Sequence, residues 1–279
     1  MRVWFITGAS RGFGARITAE ALAQGDAVVA TARNPQQIEQ QFGKHERLLA
    51  VKLDVTKEAE AHEAAGIAVK RFGRIDVLVN NAGYGLLGGI EEASAEETQR
   101  VYATNVFGLL NVTRAVLPHM RRQRSGHVIN ISSVGGYTGY PGWGVYGSTK
   151  FAVEGISEAL HAEVAPLGIK VTVVEPGFFR TDFLDDQSVV RTAQVIADYA
   201  DTVGKTRSHA EGANHAQPGD PSKLAKAFMT LVAAKNPPSR LQLGSDTIAR
   251  VEAKHAHVER ELNEWRGLAL STDFDAKAA

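Results

Sequence analysis

The chain has 279 residues, no cysteine, and 31 basic side chains against 31 acidic ones. With no net charge there is no global field to draw in nucleic acid or a polyanionic substrate, and without thiols neither disulfides, thiolate nucleophiles nor zinc–cysteine sites can form. A composition 44% hydrophobic supports a sizeable core. No stretch reaches the ~18 apolar residues of a membrane span, and Val3-Trp4-Phe5-Ile6 is too short a run for a secretory signal, so a cytoplasmic location is expected.

Short, continuously apolar runs rich in β-branched residues occur at residues 3–7, 27–31, 48–53, 75–80, 127–132 and 169–174. Such runs suit strands covered on both faces. Between them, residues 15–24, 57–72, 98–122 and 145–165 carry helical spacing. The alternation predicts βαβ winding. With a short seventh strand at residues 240–243, it predicts an α/β fold in one domain over residues 1–279: a doubly wound parallel sheet of about seven strands with helices on both faces. Ligands of such sheets bind beyond the carboxyl ends of the strands, so the chemistry is expected in strand-to-helix turns. Residues 183–219 break the rhythm and read as a substrate lid or loop insertion. Residues 246–279 read as a charged amphipathic helix followed by a polar tail.

After the first strand comes Thr7-Gly8-Ala9-Ser10-Arg11-Gly12-Phe13-Gly14. Glycines here permit positive φ and let backbone N–H groups approach a pyrophosphate, whose charge a helix N-terminus stabilises. The spacing is not Gly-x-Gly-x-x-Gly, and no Gly-Lys-Ser/Thr follows, so a P-loop is excluded. Thr-Gly-x-x-x-Gly-x-Gly directly after strand one resembles the cofactor turn of the short-chain dehydrogenase/reductase family. Further motifs follow in that family's order: Leu53-Asp54-Val55 ends the third strand, Asn80-Asn81-Ala82-Gly83 the fourth, and Pro176-Gly177 with Thr181 follows the sixth.

The resemblance implies a single Rossmann-fold domain that binds a nicotinamide dinucleotide. It places Gly8, Ser10, Arg11, Gly12, Phe13, Gly14, Asp54, Val55, Asn81, Ala82, Gly83, Pro176, Gly177 and Thr181 at the cofactor. In that reading Asp54 lies against the adenine ring and Thr181 against the nicotinamide carboxamide; from the residues alone, Asp54 is equally a helix cap. The second strand ends Val29-Ala30-Thr31-Ala32-Arg33. An acid there would hold the ribose 2′-hydroxyl of NAD, whereas a 2′-phosphate calls for a cation. Arg33, with Arg11 as a second charge, predicts NADP(H) preferred over NAD(H); the bland alternative is that both arginines are simply solvated.

Tyr146 and Lys150 are four residues apart at the start of the helix after the fifth strand, and so share a face. A free phenol titrates near ~10. A neighbouring ammonium, and the positive ring of an oxidised nicotinamide, are expected to lower that value. Ser133, at the preceding strand end, is placed to hold a substrate oxygen. Ser132 is its rival, and the family pattern Asn-x-Ser-Ser favours the second serine. The resemblance adds Asn105 as support for a proton-relaying water and gives Tyr146 and Lys150 contacts with the cofactor. The set Asn105, Ser133, Tyr146 and Lys150 then implies hydride transfer between nicotinamide and a carbonyl/alcohol pair. Alternatives are a non-catalytic NADP-binding sensor, or a cofactor-free lyase on the same fold.

No His-Glu-x-x-His exists, and the Gly-x-Ser-x-Gly match Gly8-Ala9-Ser10-Arg11-Gly12 is read as part of the glycine turn and not as a nucleophile elbow, so neither a metal site nor a serine hydrolase is expected. The cluster Arg114, Arg121, Arg122 and Arg124 reads as a solvated helix end rather than a nucleic-acid patch. Asn111-Val112-Thr113 and Asn130-Ile131-Ser132 fall inside a predicted helix and strand, so as glycosylation acceptors they are accidental. Tyr84, Tyr137, Tyr140, Trp143, Phe178, Phe179, Phe183 and Leu184 are expected to wall the site. Of these, Tyr140, Trp143, Phe178 and Phe183 should meet substrate together with Ser133 and Tyr146, which favours a hydrophobic small-molecule ketone, aldehyde or alcohol. The overall look is similar to the branch with 17β-hydroxysteroid- and retinol-dehydrogenase-like members. It implies a homodimer or homotetramer built on the helices carrying Asn105 and Tyr146, with no nucleic-acid or membrane partner.

Overall fold

The computed structural model describes residues 1–185, 188–213 and 216–274. In chain order the strands are β1 (Val3–Ile6), β2 (Ala27–Ala32), β3 (Leu48–Lys52), β4 (Val77–Asn80), β5 (Gly85–Leu87), β6 (Gly126–Ile131), β7 (Ile169–Pro176), β8 (Val189–Arg191) and β9 (Arg240–Leu243). The helices are α1 (Gly12–Ala23), α2 (Gln36–Phe42), α3 (Glu58–Phe72), α4 (Ala95–Tyr102), α5 (Leu109–Gln123), α6 (Gly144–Val164), α7 (Lys205–Ala213), α8 (Pro221–Ala233) and α9 (Ser245–Leu270). Seven strands form one parallel sheet in the order β3-β2-β1-β4-β6-β7-β9.

Alternation along β1 shows why its run has to be continuously apolar. Phe5 points into a cluster with α3, α5 and α6, while Trp4 and Ile6 point into a cluster with α1 and α8 on the other face. Trp4, Phe5 and Ile6 are all fully buried, and each contributes roughly 1.5–3 kcal/mol of transfer free energy. The Trp4 indole donates to Asp26 at 2.9 Å, which satisfies its N–H inside the core.

The chain crosses the sheet in one sense for β1-β2-β3 and in the other for β4-β6-β7, so the turns after β1 and β4 diverge and leave a crevice between them. This switch point positions the site. The turn into α1 needs left-handed backbone at Gly8 (φ 62°) and Gly12 (φ 54°), which only glycine adopts without strain.

Three departures from the sequence expectation have physical causes. The helix expected over residues 98–122 is interrupted: a π-helical turn over Ala103–Gly108 separates α4 from α5, and Asn105 sits in it. The extra residue in that turn breaks the 3.6-residue period only locally, which a periodicity argument cannot detect. Second, α2 and α8 escaped the sequence reading, although Asp220 accepts from the N–H groups of Ser222 and Lys223 ahead of Pro221 in a standard helix start. Third, β5 and β8 form a separate two-stranded parallel sheet, three residues each and too short to read as strands.

The region expected to be an insertion, residues 183–219, carries β8 and α7; residues 186–187 and 214–215 of it, like residues 275–279 of the tail, lie outside the described residues. Among the described residues no helix is long and apolar enough to cross a membrane, and no cluster of three metal-ligating side chains occurs. Arg124 closes α5 in the left-handed conformation at φ 54°, while Arg114 lies mid-helix and pairs with Glu58 at 2.7 Å rather than belonging to the helix end.

Candidate active site

The crevice is a cleft of about 1330 Å³. Its nucleotide end is built by a strut that ties the β1 turn to the β4 turn. The Thr7 hydroxyl accepts from the backbone N–H groups of Asn81 and Ala82, both at 2.9 Å, and the Asn81 amide donates to the carbonyls of Thr7 (2.8 Å) and Gly8 (3.0 Å). Thr7 was not singled out as a site residue by sequence; a buried hydroxyl at a strand end gives no distinctive signal. Gly14 does not line the cleft. A Cβ there would lie 2.4 Å from the Gly8 carbonyl, so its place is beneath the turn, holding α1 close to β1. Gly12, by contrast, faces open space.

The other residues assigned to the cofactor from sequence all line the cleft: Gly8, Ser10, Arg11, Gly12, Phe13, Arg33, Asp54, Val55, Asn81, Ala82, Gly83, Tyr146, Lys150, Pro176, Gly177 and Thr181. Asn34, Gln37, Arg100 and Gln217 join them without having been foreseen. Asp54 both faces the cleft and makes a turn, accepting from the N–H (3.1 Å) and hydroxyl (2.8 Å) of Thr56. Burial acts to raise its carboxyl, but the Thr56 bonds and the charges of Lys57 and Arg33 outweigh that and hold it below the usual carboxylate range. Positive-φ glycines, a helix N-terminus and a cleft of this volume fit a dinucleotide.

At the other end, β6 and α6 bring Ser133, Tyr146 and Lys150 together. Ser133 accepts from Gly135 N–H at 3.0 Å, and its side chain is hydrogen-bonded to the Tyr146 phenol. Lys150 Nζ lies 5.7 Å from the Tyr146 ring centre and donates to the Ile131 carbonyl at 2.9 Å. Ser132 also lines the cleft, but it is nearly fully buried and its hydroxyl turns to the Lys150 carbonyl at 3.5 Å, so Ser133 is the serine that meets the phenol. Asn105 does not line the cleft. Its side chain accepts from Tyr84 N–H (3.1 Å) and donates to the Tyr84 carbonyl (2.9 Å) and to Thr149 (3.1 Å), clamping the segment after Gly83 to α6.

Electrostatics amend one expectation. Burial pushes the Tyr146 phenol well above its ordinary value, only partly offset by the Ser133 bond, and Lys150 does not contribute to lowering it. Desolvation of a phenolate outweighs a cation held over the ring rather than at the oxygen. Lys150 itself is brought down to about 8 by burial, with Glu154 working the other way.

Behind Lys150, one helical turn along α6, Glu154 faces Glu175 of β7. Both are buried, and Arg240 of β9 reaches them at 3.2 and 3.6 Å. Burial raises both carboxyls, Glu175 to about 7, and the nearby Glu154 charge adds to the effect there. Burial and mutual repulsion therefore disfavour a double negative charge on the pair, which Arg240 offsets only in part.

The outer wall is aromatic. Trp143 meets the Tyr146 ring edge-on at 5.6 Å and stacks on Phe183 at 6.5 Å. Tyr84, Tyr140, Phe178, Phe179 and Leu184 also line the cleft. Tyr137 does not; it turns outward to His255 of α9. Over this end lies the segment carrying β8 and α7, fastened by buried Glu92, which accepts from Gly89 N–H (2.6 Å) and Ile196 N–H (2.8 Å) and pairs with Arg207 of α7.

Comparison with known proteins agrees with this geometry. The family described as short chain dehydrogenase matches residues 2–190. An oxidoreductase of Botryotinia fuckeliana, BOA17, is 40% identical over 97% of this chain and 99% of its own length. A 3-ketodihydrosphingosine reductase of Bacteroides thetaiotaomicron is 43% identical over 87% of this chain and 88% of its own. Among solved structures, a short-chain dehydrogenase from Streptomyces avermitilis superposes with a TM-score of 0.90 at 39% identity, covering 98% of this chain and 100% of that one. A serine dehydrogenase complexed with NADP+ superposes at 0.73 with 29% identity, covering 86% and 94%. Strand order, glycine turn and family match converge: the chain belongs to the short chain dehydrogenase family and is an oxidoreductase with a Rossmann-type fold.

Proposed function

We propose that this protein is an NADP(H)-dependent reductase or dehydrogenase for a hydrophobic carbonyl/alcohol pair, with Asn105, Ser133, Tyr146 and Lys150 as its working set. The observation that carries the reading is the Tyr146 phenol beside Ser133 and Lys150 at the junction of the nucleotide cleft and the aromatic wall. The glycine turn would offer N–H groups to the pyrophosphate, Asp54 and Val55 would flank the adenine, and Thr181 with Pro176-Gly177 would hold the nicotinamide end. Arg33 and Arg11 would meet a 2′-phosphate. When bound, the nicotinamide supplies or accepts the hydride.

The chain's own groups manage the oxygen and its proton. Ser133 holds the substrate oxygen, and Tyr146 donates to it on reduction. A phenol raised by burial is protonated at neutral pH, the form that reduction consumes. Lys150 holds positive charge beneath the ring and would bond the ribose of a bound dinucleotide, and Asn105 positions α6 against the β4 turn.

The aromatic wall supports a lipophilic ketone or aldehyde, and the named activity of the Bacteroides relative makes a long-chain ketone a rational first substrate. Phe107 and Phe151 stand 57% and 47% exposed on the outer faces of the helical segments that carry Asn105 and Lys150, which supports a homodimer or homotetramer built there. A cytoplasmic location completes the reading. The test is turnover of NADPH and NADH against a panel of steroid, retinoid, aromatic and long-chain ketones. Consumption of NADPH in preference to NADH with one of these classes is the expected result; tight NADPH binding with no turnover across the panel would favour the sensor alternative.

A further inference from the structure

The C-terminal helix α9 leaves the body of the protein partway along its length. Its first turns are seated: Thr247 is fully buried and donates to the Leu243 carbonyl at 3.0 Å, Val251 is buried, and His255 meets the Tyr137 hydroxyl. From residue 256 to residue 270 every position is exposed. That stretch projects about 22 Å at 1.5 Å per residue.

The projecting part is not uniformly polar. Val258, Leu262 and Trp265 are 46%, 54% and 59% exposed, and they continue the stripe that Val251 and His255 begin. The stripe advances by alternating steps of four and three residues through positions 251, 255, 258, 262, 265 and 269. This is the seam of one helix laid along another. The same face is covered by the protein's own body over its first third and uncovered beyond it.

Charge flanking the seam selects the occupant. Lys254 and Glu261 border one side, Glu259 and Arg266 the other. A second α9 lying parallel and in register sets Lys254 against the partner's Glu259 and Glu261 against the partner's Arg266, each pair occurring twice by two-fold symmetry. An antiparallel pairing instead brings Glu259 and Glu261 each against its own copy. A membrane surface fits poorly, because acidic side chains outnumber basic ones along residues 245–270 and the polar face is not cationic.

We propose that the apolar face of α9 is a self-association surface, covered by α9 of a second copy of this chain as a parallel helix pair. It is separate from the face that carries Phe107 and Phe151, and it does not depend on the catalytic reading.

Full-length protein tested by size-exclusion chromatography with light scattering gives the first readout. Leu262→Glu combined with Trp265→Glu, both at exposed positions, should remove one association step and halve the mass, with thermal stability per chain and NADPH affinity retained. Lys254→Glu should weaken association about fivefold, and adding Glu259→Lys should restore it. Because the chain has no cysteine, Leu262→Cys offers a single thiol that should oxidise to a covalent dimer only in a parallel, in-register pair. A wild-type monomer, an unchanged mass for the double glutamate variant, or failure of Leu262→Cys to cross-link would overturn the proposal. So would binding to vesicles of phosphatidylcholine and phosphatidylserine that the double variant abolishes without a change in mass.

Discussion

The two ends of the cleft are held by different kinds of interaction. At the nucleotide end the ligand-facing turns are tied by two short polar side chains to each other's backbone: Thr7 and Asn81 cross-tie the β1 and β4 turns with four hydrogen bonds of 2.8–3.0 Å, and Gly14 allows α1 to close on Gly8. At the substrate end the wall is a set of aromatic rings 5.6–6.5 Å apart, and the segment above it is fastened by side chains, chiefly Glu92 with Arg207. A hydroxyl and an amide that each make two bonds, beside a glycine with no room for a Cβ, leave little room for variation, whereas rings and ion pairs tolerate exchange. A common cofactor needs the first arrangement and a particular substrate the second.

Substitutions at the two ends should therefore fail in different measurements. The largest effect is expected at the junction: Tyr146→Phe removes the proton donor while keeping ring packing on Trp143 and Phe183, so turnover should fall about 10²–10⁴-fold with NADPH affinity little changed. Retained turnover on a confirmed substrate would break the catalytic assignment. At the nucleotide end, Gly14→Ala forces its Cβ against the Gly8 carbonyl, and NADPH binding and folding stability should weaken together, by about 1–3 kcal/mol each. A loss of stability with unaltered cofactor titration would show that the turn is not the binding element.

Arg33→Ala should lower kcat/KM with NADPH about tenfold and leave NADH nearly unaffected, read by steady-state kinetics; equal losses would place Arg33 outside the 2′-phosphate site. At the substrate end, Arg207→Ala leaves Glu92 buried with only its backbone donors. KM for the carbonyl substrate should rise severalfold and hydrogen exchange near α7 should quicken, while NADPH affinity stays constant. The effect on turnover is smallest for the Glu154–Glu175 pair, which is read in stability instead. Its folded-state value of about 7 lies above the ordinary 4.5, so its stabilisation is fully present below pH 4.5 and is lost as pH rises through about 7. Glu175→Gln should flatten that part of the stability profile by about 1–3 kcal/mol in chemical denaturation; a profile as steep as the parent's would refute the disfavoured double charge.

Much of this was legible in the chain itself. Val3 to Ile6 is apolar at every position because helices cover both faces of β1, and Tyr146 with Lys150 shares a helical face because they are four apart. What spacing could not carry was anything depending on partners distant in sequence. Asn105 reads as a lone polar residue in a helix; only the π-helical turn and Tyr84 show it to be a clamp. Tyr137 reads as a wall residue like Tyr140, and α9 draws it away. The phenol's raised value follows from how deeply the fold buries it, which no neighbour count along the chain reports.

The sequence by itself determined the winding, the glycine turn and the shared face of Tyr146 and Lys150, because each is set by local backbone freedom or by a period of one helical turn. Tertiary structure alone decided which serine meets the phenol, that Gly14 supports the turn instead of facing ligand, that two buried glutamates face each other behind Lys150, and that α9 outruns the body that should cover it. All four depend on distances between segments far apart in the chain, and burial and close approach exist only once those segments are packed.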